Sequence, residues 1–443
     1  MSEDRYIAAI EISSSKVMGV VGRTRGDGTV DIIAVEQEKH VEIVRYGLIQ
    51  NLEETYQRIA RIIDKLERKP SVTPRHIKSV FVGLAGRSVR SINTQVTLNL
   101  PDDTEINDDI IDRLNRDAFN TPIDSSLEVV DVVPRSYRVG TLETQSPKGT
   151  VGNKIQASFD IIVCRPELKR NIIRVLHDKL NIEVAGFVVT ALATSHLVLN
   201  SEEKRLGSML VDFGAETTAV SIYKEGTLQY FATLPMGSRN ITRDITTLSV
   251  LEERAEEIKI TSGNAIAPDT PSTLNLAGVK LADVSNLIVA RAEEIVANII
   301  EQIRYAGLKE KDLPVGIICI GGGAKLNGLT DLLTRQTGLS AKIGRLPSYI
   351  HLDDAKAPSS EIAEVASVLY EGATLTDEQC LELPRKQEVP VTGEAPEPDD
   401  FKPEEKPSKK RTNRGPSLMD KLRNKIAGIF NPDEDDDSGL LDE

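Results

Sequence analysis

Two carboxylates in this chain stand at the ends of apolar strands and open turns built from small side chains. Ile7-Ala-Ala-Ile-Glu11-Ile-Ser13-Ser14-Ser15-Lys16-Val-Met-Gly-Val-Val21 reads as a strand, a turn and a second strand. Met209-Leu-Val-Asp212-Phe-Gly214-Ala215-Glu216-Thr217-Thr218-Ala-Val-Ser-Ile-Tyr223 repeats the pattern. A third turn, Gly321-Gly322-Gly323-Ala324-Lys325, follows the apolar run Val315 to Ile320 and precedes a helical pattern from Leu326 to Thr337. Turns this small let backbone approach a ligand closely, and the amides at a helix N-terminus favour anions. A Gly-Gly-Gly turn alone also fits a tight strand-to-helix connection. Ligands of open α/β sheets sit at the carboxyl ends of strands, so the repeated carboxylate and turn suggest a cleft in which the two turns face each other.

The elements that must position these turns are legible as periodicities. Each copy continues through a Gly-containing turn, Asp27-Gly28-Thr29 or Glu225-Gly226-Thr227, into a third strand, Val30 to Val35 or Leu228 to Leu234. The chain thus holds two three-stranded meanders. Leu52 to Leu66 places Ile59, Ile62, Ile63 and Leu66 on one helical face, Ser79 to Leu84 is a strand, and Glu167 to Leu180 is a further helix. The expected fold is α/β with two related halves around a cleft. Gly86 to Ala157 is an insertion with strands at Val89 to Leu100 and Val129 to Val139 and a helix at Ile106 to Ala118. A second insertion, Gly237 to Gly307, carries a long helix from Leu281 to Tyr305 that includes Val284, Leu287, Ile288, Arg291, Ile295, Val296, Ile299 and Ile303.

Beyond Pro384 the composition turns to Pro, Glu, Lys and Ser, too poor in hydrophobes to fold, and then Ser417 to Phe430 forms an amphipathic pattern. At 100° per residue, Leu418, Met419, Leu422, Ile426, Ile429 and Phe430 share one arc, opposite Lys421, Arg423 and Lys425. Burying six large apolar side chains contributes roughly 1.5 to 3 kcal/mol each when complete, and each basic residue near an anionic bilayer adds about 1 kcal/mol. An interfacial membrane anchor is expected, with docking on protein as the other reading. The acidic run Asp433 to Asp437 is expected to stay solvated.

With 443 residues, 40% hydrophobic content and no apolar run near 18 residues, the chain is long enough for two or more domains and carries no candidate span. Met1-Ser-Glu-Asp-Arg lacks the basic start and apolar core of a signal peptide, so a cytoplasmic protein is expected. A net charge of −14 argues against general nucleic-acid binding. Cys164, Cys319 and Cys380 read as buried thiols, and the five histidines offer no metal-ligand pair.

The three turns, in this order, resemble the actin, sugar-kinase and heat-shock chaperone ATPase superfamily. Together with the position of the first insertion and the tail helix, the chain is similar within it to the FtsA family of bacterial division proteins. The resemblance implies an actin-like ATPase fold binding ATP and Mg2+. Glu11 to Lys16, including Ser13, Ser14, Ser15 and Lys16, looks like the first phosphate turn, and Asp212 to Thr218, with Gly214, Ala215, Glu216 and Thr217, the second. Gly321, Gly322, Gly323, Ala324 and Lys325 look like the adenosine turn. Glu11 and Asp212 are the implied catalytic pair holding hydrated magnesium, an ion that prefers oxygen ligands and keeps several waters. Glu256 and Lys259 resemble the pair that reaches the ribose, although their residues alone also read as a solvated charged helix face.

The same resemblance divides the chain into subdomain 1A (1–85 and 158–197), the inserted 1C (86–157), 2A (198–236 and 309–380), 2B (237–308), a linker (381–416), the helix 417–430 and an acidic tail (431–443). It implies self-assembly into filaments, contacts with other division proteins and with anionic lipids, and binding of the FtsZ C-terminal peptide by 2B, where Arg291 matches a basic position. An Arg there also fits a surface pair with Glu294. The implied location is peripheral, on the cytoplasmic face of the inner membrane at the septum. Two departures bear on catalysis: Ser13 stands where the first turn usually has Gly, and Val188-Val189-Thr190-Ala191-Leu192 lacks the acidic or amide side chain that positions an attacking water in faster relatives. Slow or negligible hydrolysis is expected. A pilus-assembly-type actin homologue and, more remotely, a small-molecule kinase share such a cleft.

Overall fold

The computed structural model describes residues 4–384 apart from 26–27, 271–273, 277, 354–358 and 377. The tail pattern at 417–430 lies outside the described residues. Both meanders are present. In the first, Arg5–Ile12 pairs antiparallel with Lys16–Thr24, setting Glu11 opposite Met18, and Lys16–Thr24 pairs with Val30–Lys39. In the second, Ser208–Phe213 pairs with Thr218–Lys224, setting Asp212 opposite Ala219, and Thr218–Lys224 pairs with Thr227–Leu234.

Each meander seeds a mixed sheet. The first sheet adds Ser79–Leu84 parallel to Arg5–Ile12, then Glu183–Val189 outside it, and Ile350–Leu352 on the far edge. The second adds Gly316–Ile320 parallel to Ser208–Phe213, with Asp212 beside Ile320, and then Ala341–Ile343. The parallel pairings bring the carboxyl ends of Arg5–Ile12, Glu183–Val189, Ser208–Phe213 and Gly316–Ile320 to the side of the sheets that carries the small-residue turns. Helix Leu52–Glu67 buries Ile59, Ile62, Ile63 and Leu66 as the periodicity expects, and Asn51 caps it by accepting from the Glu54 amide. Helix Ser359–Leu375 packs on the same sheet through Ile362, Val365, Val368 and Leu369.

The first insertion is a four-stranded antiparallel sheet ordered Leu142–Thr144, Glu128–Val139, Val151–Cys164, Arg90–Glu105. Helix Asp108–Phe119 covers one face around Leu114, Tyr137, Ile155 and Phe159. The helix begins after Ile106 because Asn107 is its cap, accepting from the Ile110 amide. The last strand crosses residue 157, where the sequence reading ended the insertion, and continues to Cys164 through the buried run Phe159 to Cys164. This insertion also grips the other half. Arg135 donates from Nε and Nη2 to Gln229 Oε1 at 3.1 and 2.7 Å and from Nη2 to the Gln229 carbonyl at 3.0 Å; the Ser91 hydroxyl pairs with the Phe231 amide (3.0 Å) and carbonyl (3.2 Å).

The second insertion contains helices Ser238–Thr246, Glu252–Ser262 and Leu281–Tyr305 and the short strand pair Asn275–Leu276 with Val279–Lys280. The long helix buries Val284, Ile288, Ile295, Val296, Ile299 and Ile303 in a second core with Met209, Val211 and Phe213. Two expected helices differ. Glu167 to Leu180 is helix Pro166–Ile173 followed by a wider turn, Arg174–Lys179, and Leu326 to Thr337 starts only at Leu329, because Gly328 in front of it is left-handed (φ 73°). All three cysteines are free and buried. Among the described residues no helix is long and apolar enough to cross a membrane.

Candidate functional site

The first turn is closed by its own backbone: the amide and hydroxyl of Ser13 both donate to the Lys16 carbonyl at 3.0 Å. His40, which no motif in the sequence singles out, buttresses it. Its Nε2 meets the Ser13 carbonyl at 2.9 Å and its amide donates to the Ser15 carbonyl at 2.9 Å. Burial holds the His40 pKa down to about 4, opposed by the bond to Ser13 and assisted by the nearby Arg58 and Arg239 charges. The ring is therefore neutral at physiological pH, and the bond to a carbonyl places its proton on Nε2.

In the second turn the Gly214 amide donates to the Thr217 carbonyl at 2.9 Å. The first amides of helix Ser238–Thr246 dock on this turn, Ser238 N–H to the Gly214 carbonyl (3.0 Å) and Arg239 N–H to the Ala215 carbonyl (2.7 Å). The Glu216 carboxylate is turned into the protein. It is fully buried, accepts from the Tyr46 amide (2.8 Å) and Arg243 (2.9 Å), and lies 3.5 Å from Arg239. Protein cations and an amide occupy both its oxygens.

The third turn lies against the second. Gly321 has φ 86°, and a β-carbon there would fall 2.6 Å from Oδ1 of Asp212 and 2.7 Å from the Phe213 carbonyl. Gly322, by contrast, borders open space. Glycine at 321 thus serves the seating of one turn on the other, whereas 322 leaves room beside it.

At the junction of the turns the carboxylates of Glu11 and Asp212 are joined by a third, Glu364, from helix Ser359–Leu375. Burial raises the Glu11 carboxyl to about 8, with Glu364 adding to the rise and Lys16 opposing it. Asp212 is raised by burial, then by Glu364 and Glu11. Oε2 of Glu11 and Oδ1 of Asp212 have no hydrogen-bond partner. Thr190, first residue of helix Thr190–Val198, also lies here: a β-carbon on Gly83 would meet its hydroxyl at 2.6 Å and Cγ of Glu11 at 3.6 Å. The Thr190 hydroxyl is buried and unpartnered. Crowded carboxylates with free oxygens are the donor chemistry of a hard cation. Among the described residues no group of three or more His, Cys, Asp or Glu side chains is arranged to hold a metal ion directly.

Glu364 was missed because sequence reading looked for carboxylates at strand ends. Its signal was a Glu inside the run Ile362 to Leu369, apolar apart from Ser367. Lys259 is not on a solvated face: it is buried and donates to Glu256 (2.7 Å), to the Thr242 hydroxyl (3.0 Å) and to the Ser238 carbonyl (3.2 Å), tying helix Glu252–Ser262 to helix Ser238–Thr246. Burial lowers its pKa, against the pull of Glu256. Just beyond helix Glu252–Ser262, the Ala265 amide donates to the carbonyl of Asn327, two residues past the third turn, at 2.7 Å. Arg291 is remote in role from these turns. It holds Asp244 through two bonds of 2.6 and 3.0 Å and also pairs with Glu294, so the surface-pair reading describes its present state and the Asp244 partner joins two helices.

Comparison with known proteins agrees with this architecture. The family model of the cell division protein FtsA matches residues 209–366, and that of the SHS2 domain inserted in FTSA matches residues 86–163. A solved PilM-PilN type IV pilus biogenesis complex shares the fold with a TM-score of 0.59 over 83% of this chain and 98% of that one, at 16% identity. The fold is thus the actin-like ATPase fold with the inserted subdomain. The cell division protein FtsA of Streptococcus pneumoniae is 25% identical over 97% of this chain and all of its own length. That of Porphyromonas gingivalis is 32% identical over 72% of this chain and 68% of its own. On the turns, the inserted subdomain and this similarity together, the chain belongs to the family of the cell division protein FtsA.

Proposed function

We propose that the chain binds ATP with Mg2+ between its halves, assembles with copies of itself, and tethers FtsZ filaments to the cytoplasmic face of the inner membrane at the septum through the amphipathic segment 417–430. The observation that carries this reading is the meeting of three small-residue turns around Glu11 and Asp212 in a member of a division-protein family. Turn amides and Lys16 would take the phosphates, the third turn with Glu256 and Lys259 the nucleoside, and Glu11 and Asp212 the waters of magnesium, whose charge would supply the neutralisation these acids lack.

Hydrolysis is slow in this reading. Thr190 offers a hydroxyl where a general base or amide would orient water, and a neutral hydroxyl is a poor proton acceptor. Nucleotide then acts chiefly as a ligand that closes the halves. An acidic FtsZ peptide at Arg291 would have to compete with Asp244 and Glu294 for the guanidinium, which favours modest affinity and a readily reversed contact.

The test is co-sedimentation of labelled FtsZ with anionic vesicles, ATP and magnesium, comparing the full chain with a truncation before Ser417. Recruitment that disappears on truncation supports tether and partner together. Vesicle binding without FtsZ retains the anchor and removes the partner; no vesicle binding makes the tail segment a protein ligand.

A further inference from the structure

Adjacent backbone amides at the tip of one hairpin are divided between the first and second turns. Strands Val44–Arg45 and Leu48–Ile49 meet at Tyr46 and Gly47. The Tyr46 N–H donates to Oε2 of Glu216 at 2.8 Å, and the Gly47 N–H donates to Oγ of Ser14 at 3.3 Å. The tip is fixed where it is. Tyr46 and Gly47 both have positive φ, 51° and 84°, and a β-carbon on Gly47 would collide with the Ala85 carbonyl. The Arg87 amide donates to the Tyr46 carbonyl at 3.1 Å, and the Arg45 and Arg87 guanidiniums lie over the Tyr46 ring at 5.9 and 5.2 Å.

From the other side Glu216 is held by cations. Oε1 accepts from Arg243 at 2.9 Å, with Arg239 Nη1 at 3.5 Å and Arg45 Nε at 3.8 Å. Glu252 lies 3.9 Å from Arg239 Nε and shares its charge. Arg239 and Arg243 rise from the helix whose first amides dock on the carbonyls of Gly214 and Ala215. Glu216 is therefore the point at which helix Ser238–Thr246, the second turn, the hairpin tip and, through Ser14, the first turn are joined. A buried carboxylate between guanidiniums and an amide has little freedom to shift, because any displacement leaves charge unpaired away from water.

We infer that Glu216 is a positioning residue that sets the gap between the first and second turns and thereby the fit of the terminal phosphate of a nucleoside triphosphate. The inference rests on the cleft being the nucleotide site. A phosphate gripped from both sides needs amides of both turns within hydrogen-bond distance at once. A diphosphate lacks the group that a misplaced gap would strand, so it tolerates that gap better.

The experiment measures equilibrium binding of a non-hydrolysable ATP analogue and of ADP, each with magnesium, to the full chain and to its Glu216→Ala and Glu216→Gln variants. Glu216→Ala is expected to weaken the ATP analogue at least tenfold and ADP less than threefold. Glu216→Gln keeps an oxygen for the Tyr46 amide and is expected to lose about threefold for the analogue alone. Should the alanine variant fail to fold, the glutamine variant decides by the same selectivity. Equal losses for both nucleotides, or no loss for either, overturn the inference while leaving the nucleotide site standing. A wild-type chain that binds neither nucleotide removes the site itself and the inference with it.

Discussion

His40 illustrates what a single buried side chain does to the pH response of this cleft. Its folded pKa of about 4 lies below the usual histidine value, so between roughly pH 6.5 and 4 the unfolded chain binds a proton that the folded chain refuses. Stability from this group is present above that window and falls as pH falls through it, by up to about 3 kcal/mol. Glu11 has the opposite sign: its carboxyl, raised from 4.5 to about 8, is protonated in the folded chain where the unfolded one is ionised, so its contribution erodes as pH rises from about 4.5 to 8. His40→Gln retains a donor for the Ser13 carbonyl and removes the titration; a thermal melt series from pH 7 to 5 is expected to show a shallower loss than wild type. Glu364→Gln removes one of three crowded carboxylates and is expected to raise the melting temperature without magnesium while shrinking the further gain on adding it. A variant less stable than wild type in both conditions would contradict the crowding account. The two strand-end carboxylates were legible in sequence because each belongs to a local strand-and-turn pattern. Glu364 and His40 were not, since helix Ser359–Leu375 and the loop after strand Val30–Lys39 reach the turns only through tertiary packing.

At the scale of elements, the meanders and the faces of helices Leu52–Glu67 and Leu281–Tyr305 followed from period and turn chemistry alone. What escaped was how elements touch. Lys259 and Glu216 carry charges that sequence logic sends to solvent or ligand, yet neighbouring helices supply their partners and bury them. The third turn behaves as a packed element too. Gly321→Ala places a β-carbon against Asp212 at a left-handed φ, and is expected to cost about 1 to 3 kcal/mol, read by denaturant unfolding. Gly322→Ala, with open space beside it, is expected to leave stability within about 1 kcal/mol while weakening nucleotide binding, since it intrudes where the backbone must approach a ligand. Similar stability losses in the two variants would mean that both glycines serve packing only.

For the molecule as a whole, the two halves share packing away from the cleft. The first core extends into the second half through Leu210, Tyr223, Leu228, Phe231, Ile318 and Ile320, and the inserted subdomain bonds to strand Thr227–Leu234 through Arg135 and Ser91. Arg135→Ala is expected to release that strand: faster amide exchange at 229–232 and in the insertion, with the cleft turns unchanged. Uniform acceleration throughout would point to global destabilisation instead. The grip has a further consequence for the outer strand of the second sheet. An uncovered strand border is a template on which foreign strands can add. By clasping Gln229 and Phe231, the insertion withdraws that border from strand exchange, so the proposed association of copies is steered toward contacts between folded surfaces and away from intermolecular β-zippering.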